Sequence, residues 1–136
     1  MKLLLAYDGL ENSREALEKA AELAGEGGTV TVLTVARPDK RRASDSRNAT
    51  LAYAEGFLRL RGVAAATKIA RGDTAEAILD EAGAGGYDTI VLGTRELSPL
   101  GRVIRRSVTR DVVKHSPCKV VVAGALSGSR EFEPVG

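Results

Sequence analysis

The chain has 136 residues, and 20 basic against 18 acidic side chains give it a formal net charge of +2. This length predicts one domain, and a content of 43% hydrophobic and 28% charged residues excludes a disordered chain. The small net charge argues against nucleic-acid binding through bulk charge. A single cysteine excludes an internal disulfide and suits a reducing compartment.

The first predicted element is a buried strand over residues 3–7, a short apolar run that Asp8 ends. The run is too short for a secretory signal, and no stretch approaches the roughly 18 apolar residues of a membrane span. We therefore expect a cytoplasmic protein without a membrane partner. Residues 11–24 follow as a helix with apolar side chains on one face, with Asn12 and Glu15 as a capping pair and Gly25 as its end.

The middle of the chain continues the alternation of strand and helix. Thr and Val predict a second strand over 29–35, and the polar segment 36–47 is interpreted as a loop. A second helix is predicted over 48–61 and a weaker third strand over 63–70. Asp73 and Glu76 form a capping pair for a third helix, which the glycines at 83, 85 and 86 close.

The last third predicts a fourth strand over 87–92, a loop over 93–101, and a fourth helix with Ile104, Val108 and Val112 on one face. A fifth strand over 119–123 follows Pro117. These elements form an α/β fold, a five-stranded parallel sheet with helices on both faces, Rossmann-like. We expect one domain over 1–123 and a flexible C-terminal tail over 124–136, which is mobile or crosses to a partner.

A ligand site is expected beyond the carboxyl ends of the strands, where such sheets bind their ligands. Residues 8–9, 35–37 and the loop at Gly93 should meet there. Segment 37–47 carries five basic and two acidic residues, and segment 95–119 carries seven and two. This local excess of positive charge predicts an anionic ligand. Arg106, Arg110 and Lys114 also fit a solvated helix stripe, so that alternative stays open.

Four sequence features together resemble the universal stress protein family over about residues 1–123. They are Leu-Ala-Tyr-Asp-Gly at 5–9 with Ser13, Val-Leu-Thr-Val at 32–35, Gly-Asp-Thr-Ala-Glu-Ala-Ile at 72–78, and Ile-Val-Leu-Gly-Thr-Arg at 90–95. The last feature continues with Leu-Gly at 100–101, Ser-Val at 107–108 and His-Ser-Pro-Cys-Lys-Val-Val-Val at 115–122. Each feature alone is weak, but their order along the chain is specific.

The resemblance implies a parallel sheet, a homodimer and, in one branch of the family, bound ATP or another adenine nucleotide. In that branch an aspartate after the first strand meets the adenine or ribose, a valine contacts adenine through its backbone, and a Gly-x2-Gly-x9-Gly-(Ser/Thr) loop holds the phosphates. The cofactor-binding residues carried over or placed beside that motif are Asp8, Val35, Gly93, Arg95, Arg106, Ser107 and Val108.

Two positions depart from the phosphate motif, because Glu96 and Arg106 stand where it has glycine. Glycine lets backbone approach a phosphate closely. Glu96 adds a like charge, which costs on the order of 1–4 kcal/mol at close range. The guanidinium of Arg106 instead suits a phosphate. The phosphate loop is therefore partly degraded.

Three hypotheses follow from these residues. The chain binds an adenine nucleotide (ATP or AMP) or another anion in stress signalling; or it is a non-nucleotide-binding dimer that acts as a protein interaction module; or it is a slow ATP hydrolase with Asp8 as the base. No catalytic residue and no metal site are assigned, because the single His115 has no ligand partner at suitable spacing and Cys118 opens a buried strand. An open edge at 119–123 is the expected dimer contact.

Overall fold

The computed structural model describes residues 1–7, 13–36, 44–93, 106–124 and 128–134. The elements alternate along the chain until a last strand is added. In order they are β1 (Lys2–Ala6), α1 (Ser13–Ala24), β2 (Thr29–Ala36), α2 (Ser44–Arg59), β3 (Ala64–Arg71), α3 (Thr74–Gly85), β4 (Thr89–Gly93), α4 (Arg106–His115), β5 (Lys119–Gly124) and β6 (Gly128–Phe132).

The strands form one sheet in the order β3-β2-β1-β4-β5-β6. The pairs among β1 to β5 are parallel, and β5 and β6 pair antiparallel. The α/β fold and the parallel five-stranded arrangement are thus confirmed, but the sheet has six strands rather than the predicted five. The extra strand comes from the segment that was expected to be a tail.

β6 pairs with five of the six residues of β5, from Val120 opposite Phe132 to Gly124 opposite Gly128. Lys119 Nζ lies 2.8 Å from Glu131 Oε1 across this pair, and Phe132 packs against the core. The edge at 119–123 is therefore covered by the chain's own strand and is not open, contrary to expectation. The sequence of residues 128–132 did not predict a strand, because it lacks a strict alternation of apolar and polar side chains. A strand at the edge of a sheet can form without that alternation where the neighbouring strand offers unpaired backbone groups.

Alternate residues of the strands face opposite helical layers, as the period of two along a strand requires. Leu3 and Leu5 pack in a first core cluster with α1 and α2. Leu4 packs in a second cluster with side chains of α3 and α4. Helices therefore cover both faces of the sheet, as predicted.

The ends of α3 agree with the predicted signals, whereas the start of α2 does not, and the predicted cap of α1 at Asn12 lies outside the described residues. Asp73 accepts a hydrogen bond of 3.1 Å from the backbone N–H of Glu76, and Gly86 ends α3 in the left-handed region at φ 66°. α2 begins at Ser44, inside the predicted loop 36–47. Its first turn, Ser-Asp-Ser-Arg, has no apolar side chain, so apolar periodicity gave no sign of it.

Candidate functional site

The order of the sheet places its switch point between β1 and β4, because the chain builds outward from β1 to β2 and β3 on one side and from β4 to β5 on the other. Leu5 pairs with Val32 on β2 and with Val91 on β4. Val35 lies three residues beyond Val32, and Gly93 lies two beyond Val91. The two predicted site residues therefore flank the end of β1 at nearly the same height, about 10 Å apart across two strand spacings.

The end of β1 is held to β2 beyond their last ladder pair, Ala6 with Leu33. The Tyr7 N–H donates to the Leu33 carbonyl at 2.9 Å. Thr34 Oγ1, on a side chain only 2% exposed, donates to the Tyr7 carbonyl at 2.7 Å. The sequence did not single out Thr34, because a lone threonine in a strand carries no signal of its partner.

Val35 and Gly93 have different surroundings at the carboxyl edge of the sheet. Val35 pairs with Ala70 on β3, and its side chain packs partly buried against the second core cluster. Gly93 is half-buried and pairs with Ala123 on β5. The side chain of Val35 is thus occupied by the core, and any ligand contact at this residue falls to its backbone.

Besides Gly93, the described residues predicted for the phosphate segment lie in the first turn of α4. Arg106 and Ser107 are its first two residues. Because α4 connects the parallel strands β4 and β5, its N-terminus lies at the carboxyl edge of the sheet. The free N–H groups of a helix start favour an anion there. Val108, in contrast, packs partly buried against the second core cluster, as a core side chain does.

Several predicted site residues lie outside the described residues. Asp8, Arg95 and Glu96 are among them, as is Arg37. The alternative interpretation of the basic residues of α4 was a solvated helix stripe. Two of its three positions fit that interpretation, because Arg110 and Lys114 are exposed. The structure therefore brings together Val35, Gly93 and the start of α4 at one edge.

A hollow of about 270 Å³ lies on the face of the sheet that α1 covers, between α1 and the β5–β6 pair. It is lined by Glu15, Glu18, Lys19, Glu22, Ala123, Gly124 and Ser129. Glu15 Oε2 is buried there without a hydrogen-bond partner among the described residues. Three carboxylates against one ammonium disfavour an anion, so this hollow is not the predicted site. Its signal in the sequence is three glutamates on one helical face.

A polar cluster on the α3 side joins β3, α3 and Tyr87, which lies two residues before β4. Lys68 Nζ donates to both Glu81 carboxylate oxygens at 2.9 and 3.1 Å, and Tyr87 Oη donates to Glu81 Oε2 at 2.7 Å. Burial by itself raises the pKa of Glu81, but the hydrogen bonds from Tyr87 and Lys68 outweigh it and hold that pKa below its usual range. Tyr87 precedes β4, so the cluster lies toward the amino edge of the sheet, away from the candidate site.

Two further reactive side chains, His115 and Cys118, lie at the end of α4 and just before β5. Burial raises the pKa of the Cys118 thiol, although a hydrogen bond with Ser116 opposes the shift. His115 is exposed at the end of α4. Within the described ranges no group of three or more His, Cys, Asp or Glu side chains could hold a metal ion. Among the helices in those ranges, none combines the length and the apolar character that crossing a bilayer requires.

Comparison with known proteins gives matches at the level of family and fold. The family model described as "Universal stress protein family" matches residues 1–124. A universal stress protein from Archaeoglobus fulgidus is similar at 26% identity and TM-score 0.76, with 90% of this chain and 97% of that chain covered. No curated protein sequence matches the chain significantly.

Two further similar structures were solved with nucleotides. A universal stress protein in complex with cAMP is 19% identical, with TM-score 0.70 and coverage of 90% of this chain and 96% of that one. A family protein from Arabidopsis thaliana with AMP bound is 20% identical, with TM-score 0.72 and 93% of each chain covered. These two show a shared fold. Because the family model spans nearly the whole sequence, this chain belongs to the universal stress protein family.

Proposed function

We propose that this chain binds an adenine nucleotide at the carboxyl edge of its sheet and that occupancy of the site is a signal in a stress response. One observation carries the proposal: Val35 and Gly93 flank the end of β1 at the switch point of the sheet. Ligands of open parallel sheets bind at this point. The class of ligand is supported by the similar proteins that were solved with cAMP and AMP.

The proposed site has an adenosine half and a phosphate half. In the adenosine half, Asp8 meets the ribose or adenine, and the backbone of Val35 contacts adenine. The phosphate half consists of Gly93, Arg95, Arg106, Ser107 and Val108, of which Val108 contributes through its backbone because its side chain packs in the core. The N–H groups at the start of α4 favour the phosphate charge.

Glu96 and Arg106 set the expected balance between these halves. A carboxylate in the phosphate loop opposes each added phosphate, whereas the guanidinium of Arg106 favours it. The adenosine half then provides most of the binding free energy. AMP, ADP and ATP should accordingly bind with dissociation constants within about tenfold of one another, a difference of about 1.4 kcal/mol.

Isothermal titration calorimetry with AMP, ADP and ATP tests the proposal. We expect dissociation constants below about 1 mM, and a loss of at least about tenfold for Asp8→Asn. Arg106→Ala should weaken ATP binding, whereas Lys114→Ala should not. The two substitutions remove the same charge from one helix, but Lys114 lies about 12 Å further along it, toward the amino edge of the sheet. Failure of all three nucleotides to bind at millimolar concentration contradicts the proposal.

A second candidate function is a non-nucleotide interaction module, and Glu96 and Arg106 in place of glycine favour it. This candidate requires that the two side chains close the phosphate site. The double variant Glu96→Gly with Arg106→Gly should then create or strengthen ATP binding, relative to the parent chain. A double variant that binds ATP no better than the parent removes the basis of this candidate.

The assembly and location are proposed on sequence grounds. The resemblance that implies nucleotide binding also implies a homodimer, and the single cysteine suits a cytoplasmic location. Because β6 covers the edge of β5, a dimer of the intact chain must use another surface or displace β6. Sedimentation of the full chain over a range of concentrations measures its assembly, and a monomer at high concentration contradicts the dimer.

A further inference from the structure

We propose that Thr34 is a positioning residue for the nucleotide site: its hydroxyl holds the carbonyl of Tyr7, the residue that follows β1 and precedes Asp8. The proposal rests on the nucleotide site proposed above and adds a residue to it. Thr34 Oγ1 donates to the Tyr7 carbonyl at 2.7 Å. This bond lies at the carboxyl edge of the sheet, where Val35 and Gly93 flank the end of β1. This hydroxyl does not touch the ligand and acts through the backbone of β1.

The hydroxyl is placed where the core by itself would favour a hydrocarbon. Thr34 is 2% exposed and shares its face of β2 with Val30 and Val32, which are also buried. A buried hydroxyl costs free energy unless it is hydrogen-bonded. Valine has nearly the same shape and would avoid that cost. The useful consequence of threonine at this position is therefore the hydrogen bond that it makes to β1.

That bond completes the attachment of Tyr7 to β2. The ladder ends at the pair of Ala6 and Leu33, and the Tyr7 N–H donates to the Leu33 carbonyl at 2.9 Å. Thr34 then holds the Tyr7 carbonyl. Both backbone polar groups of Tyr7 are thus bound to consecutive residues of β2, although the regular ladder has already ended.

The covalent geometry of the backbone carries this constraint to the next residue. The Tyr7 carbonyl and the N–H of Asp8 belong to one planar peptide group, so fixing the carbonyl also fixes the direction in which the chain leaves β1. Thr34 is also the residue directly before Val35. The Thr34 side chain thereby acts next to both residues proposed for the adenosine half, because it bonds the carbonyl of Tyr7, which precedes Asp8, and Thr34 itself precedes Val35. Misplacement by about 1 Å is enough to weaken a preorganised site.

The test compares Thr34→Val, which removes the hydroxyl and keeps the shape, with Thr34→Ser, which keeps the hydroxyl and removes a buried methyl group. We expect Thr34→Val to weaken AMP binding at least about tenfold and Thr34→Ser to stay within about threefold of the parent. Thr34→Ser should nevertheless be the less stable of the two toward urea, because it leaves a cavity. If Thr34 had only a structural role, the less stable variant would also bind AMP more weakly. A positioning role predicts the opposite, with Thr34→Val the weaker binder and Thr34→Ser the less stable chain.

Thr89→Val is the matched control. Thr89 is 4% exposed at the start of β4, so the substitution removes another buried threonine hydroxyl at the amino edge of the sheet. Its affinity for AMP should equal that of the parent. A loss of affinity in Thr89→Val equal to that in Thr34→Val overturns the proposal, since it makes the effect a general one.

Amide hydrogen exchange gives a readout that needs no ligand. In the free protein the Tyr7 amide should exchange at least about tenfold faster in Thr34→Val than in the parent, and at a near-parental rate in Thr34→Ser. Equal exchange in all three chains overturns the proposal. If the parent chain binds no nucleotide, the proposed function fails. If the parent and Thr34→Val bind AMP equally, only the role of Thr34 fails.

Discussion

Gly85 lies against the ring of Tyr87, so that a Cβ at residue 85 would stand 2.2 Å from Tyr87 Cε2. The ring is held in place from its other end, because its hydroxyl donates to Glu81. Gly85→Ala should therefore displace Tyr87 and lower the free energy of unfolding by about 1–3 kcal/mol. Urea denaturation measures this change.

Gly83→Ala is the control for that substitution, because nothing lies within 4 Å of a Cβ at residue 83. Both glycines belong to α3. Alanine has the higher helix propensity, so Gly83→Ala should stabilise the chain by about 0.5–1 kcal/mol. Equal effects of the two substitutions would show that contact with Tyr87 does not decide the outcome at residue 85.

Glu81 makes the stability of the fold dependent on pH in the acidic range. Its pKa in the folded chain is held below the usual value near 4.5, because the hydrogen bonds from Tyr87 and Lys68 exceed the opposing effect of burial. A lowered carboxyl pKa adds stability above the unfolded value, and this stability is lost as the pH falls through the folded value. The free energy of unfolding should thus fall more between about pH 5 and pH 3 in the parent than in Glu81→Gln.

Denaturation curves at several pH values measure that difference, and Glu26→Gln serves as the control because Glu26 is exposed. The Glu26 variant should follow the parent across the same range. A Glu81→Gln chain whose acid sensitivity equals that of the parent contradicts the role of the cluster.

β6 is expected to limit self-association of the chain through β5. Phe132 anchors β6 against the second core cluster, and Ser129, Arg130 and Glu131 are exposed or half-exposed. Phe132→Asp should release the strand, lower the stability and uncover the Val-rich edge of β5, which then pairs with a second copy. Phe132→Leu keeps an apolar anchor and should retain the parental assembly.

The outer edge of β6 does not offer an equivalent contact. A twofold antiparallel pair places a residue opposite its own copy, so registers centred on this strand bring Arg130 against Arg130 or Glu131 against Glu131. Like charges directly opposite each other are destabilising. Sedimentation velocity should show stronger self-association for Phe132→Asp than for the parent, and weaker self-association would contradict this role of β6.

The cap of α3 provides a prediction that the sequence already contained. Asp73 accepts from the Glu76 N–H at 3.1 Å, so Asp73→Ala should cost about 1 kcal/mol of folding stability. Asp73→Asn retains a side-chain oxygen for the same N–H and should stay near the parent. Thermal or urea unfolding distinguishes these outcomes, and an alanine variant as stable as the asparagine variant contradicts the capping role.

The sequence alone determined the family and the local structure of most elements, although not β6 or the first turn of α2. Buried strands read as apolar runs, α1 and α3 read as amphipathic patterns, and Asp73 with Glu76 marked a helix start, because these signals depend on neighbours within a few residues along the chain. The same local order of motifs identified the family. The sequence also placed Val35 and Gly93 at the ends of strands, because the apolar and β-branched residues of each strand mark where that strand ends.

Only the tertiary structure decided which edges and side chains meet. β6 forms because β5 offers it an edge, the Thr34 hydroxyl matters because Tyr7 lies across the strand pair, and Gly85 is constrained by a ring that packs back on it. The glutamates of α1 become an acidic hollow only where they face β5 and β6. Each contact depends on the register of the sheet and the packing of its layers, which join residues that no short segment of sequence contains.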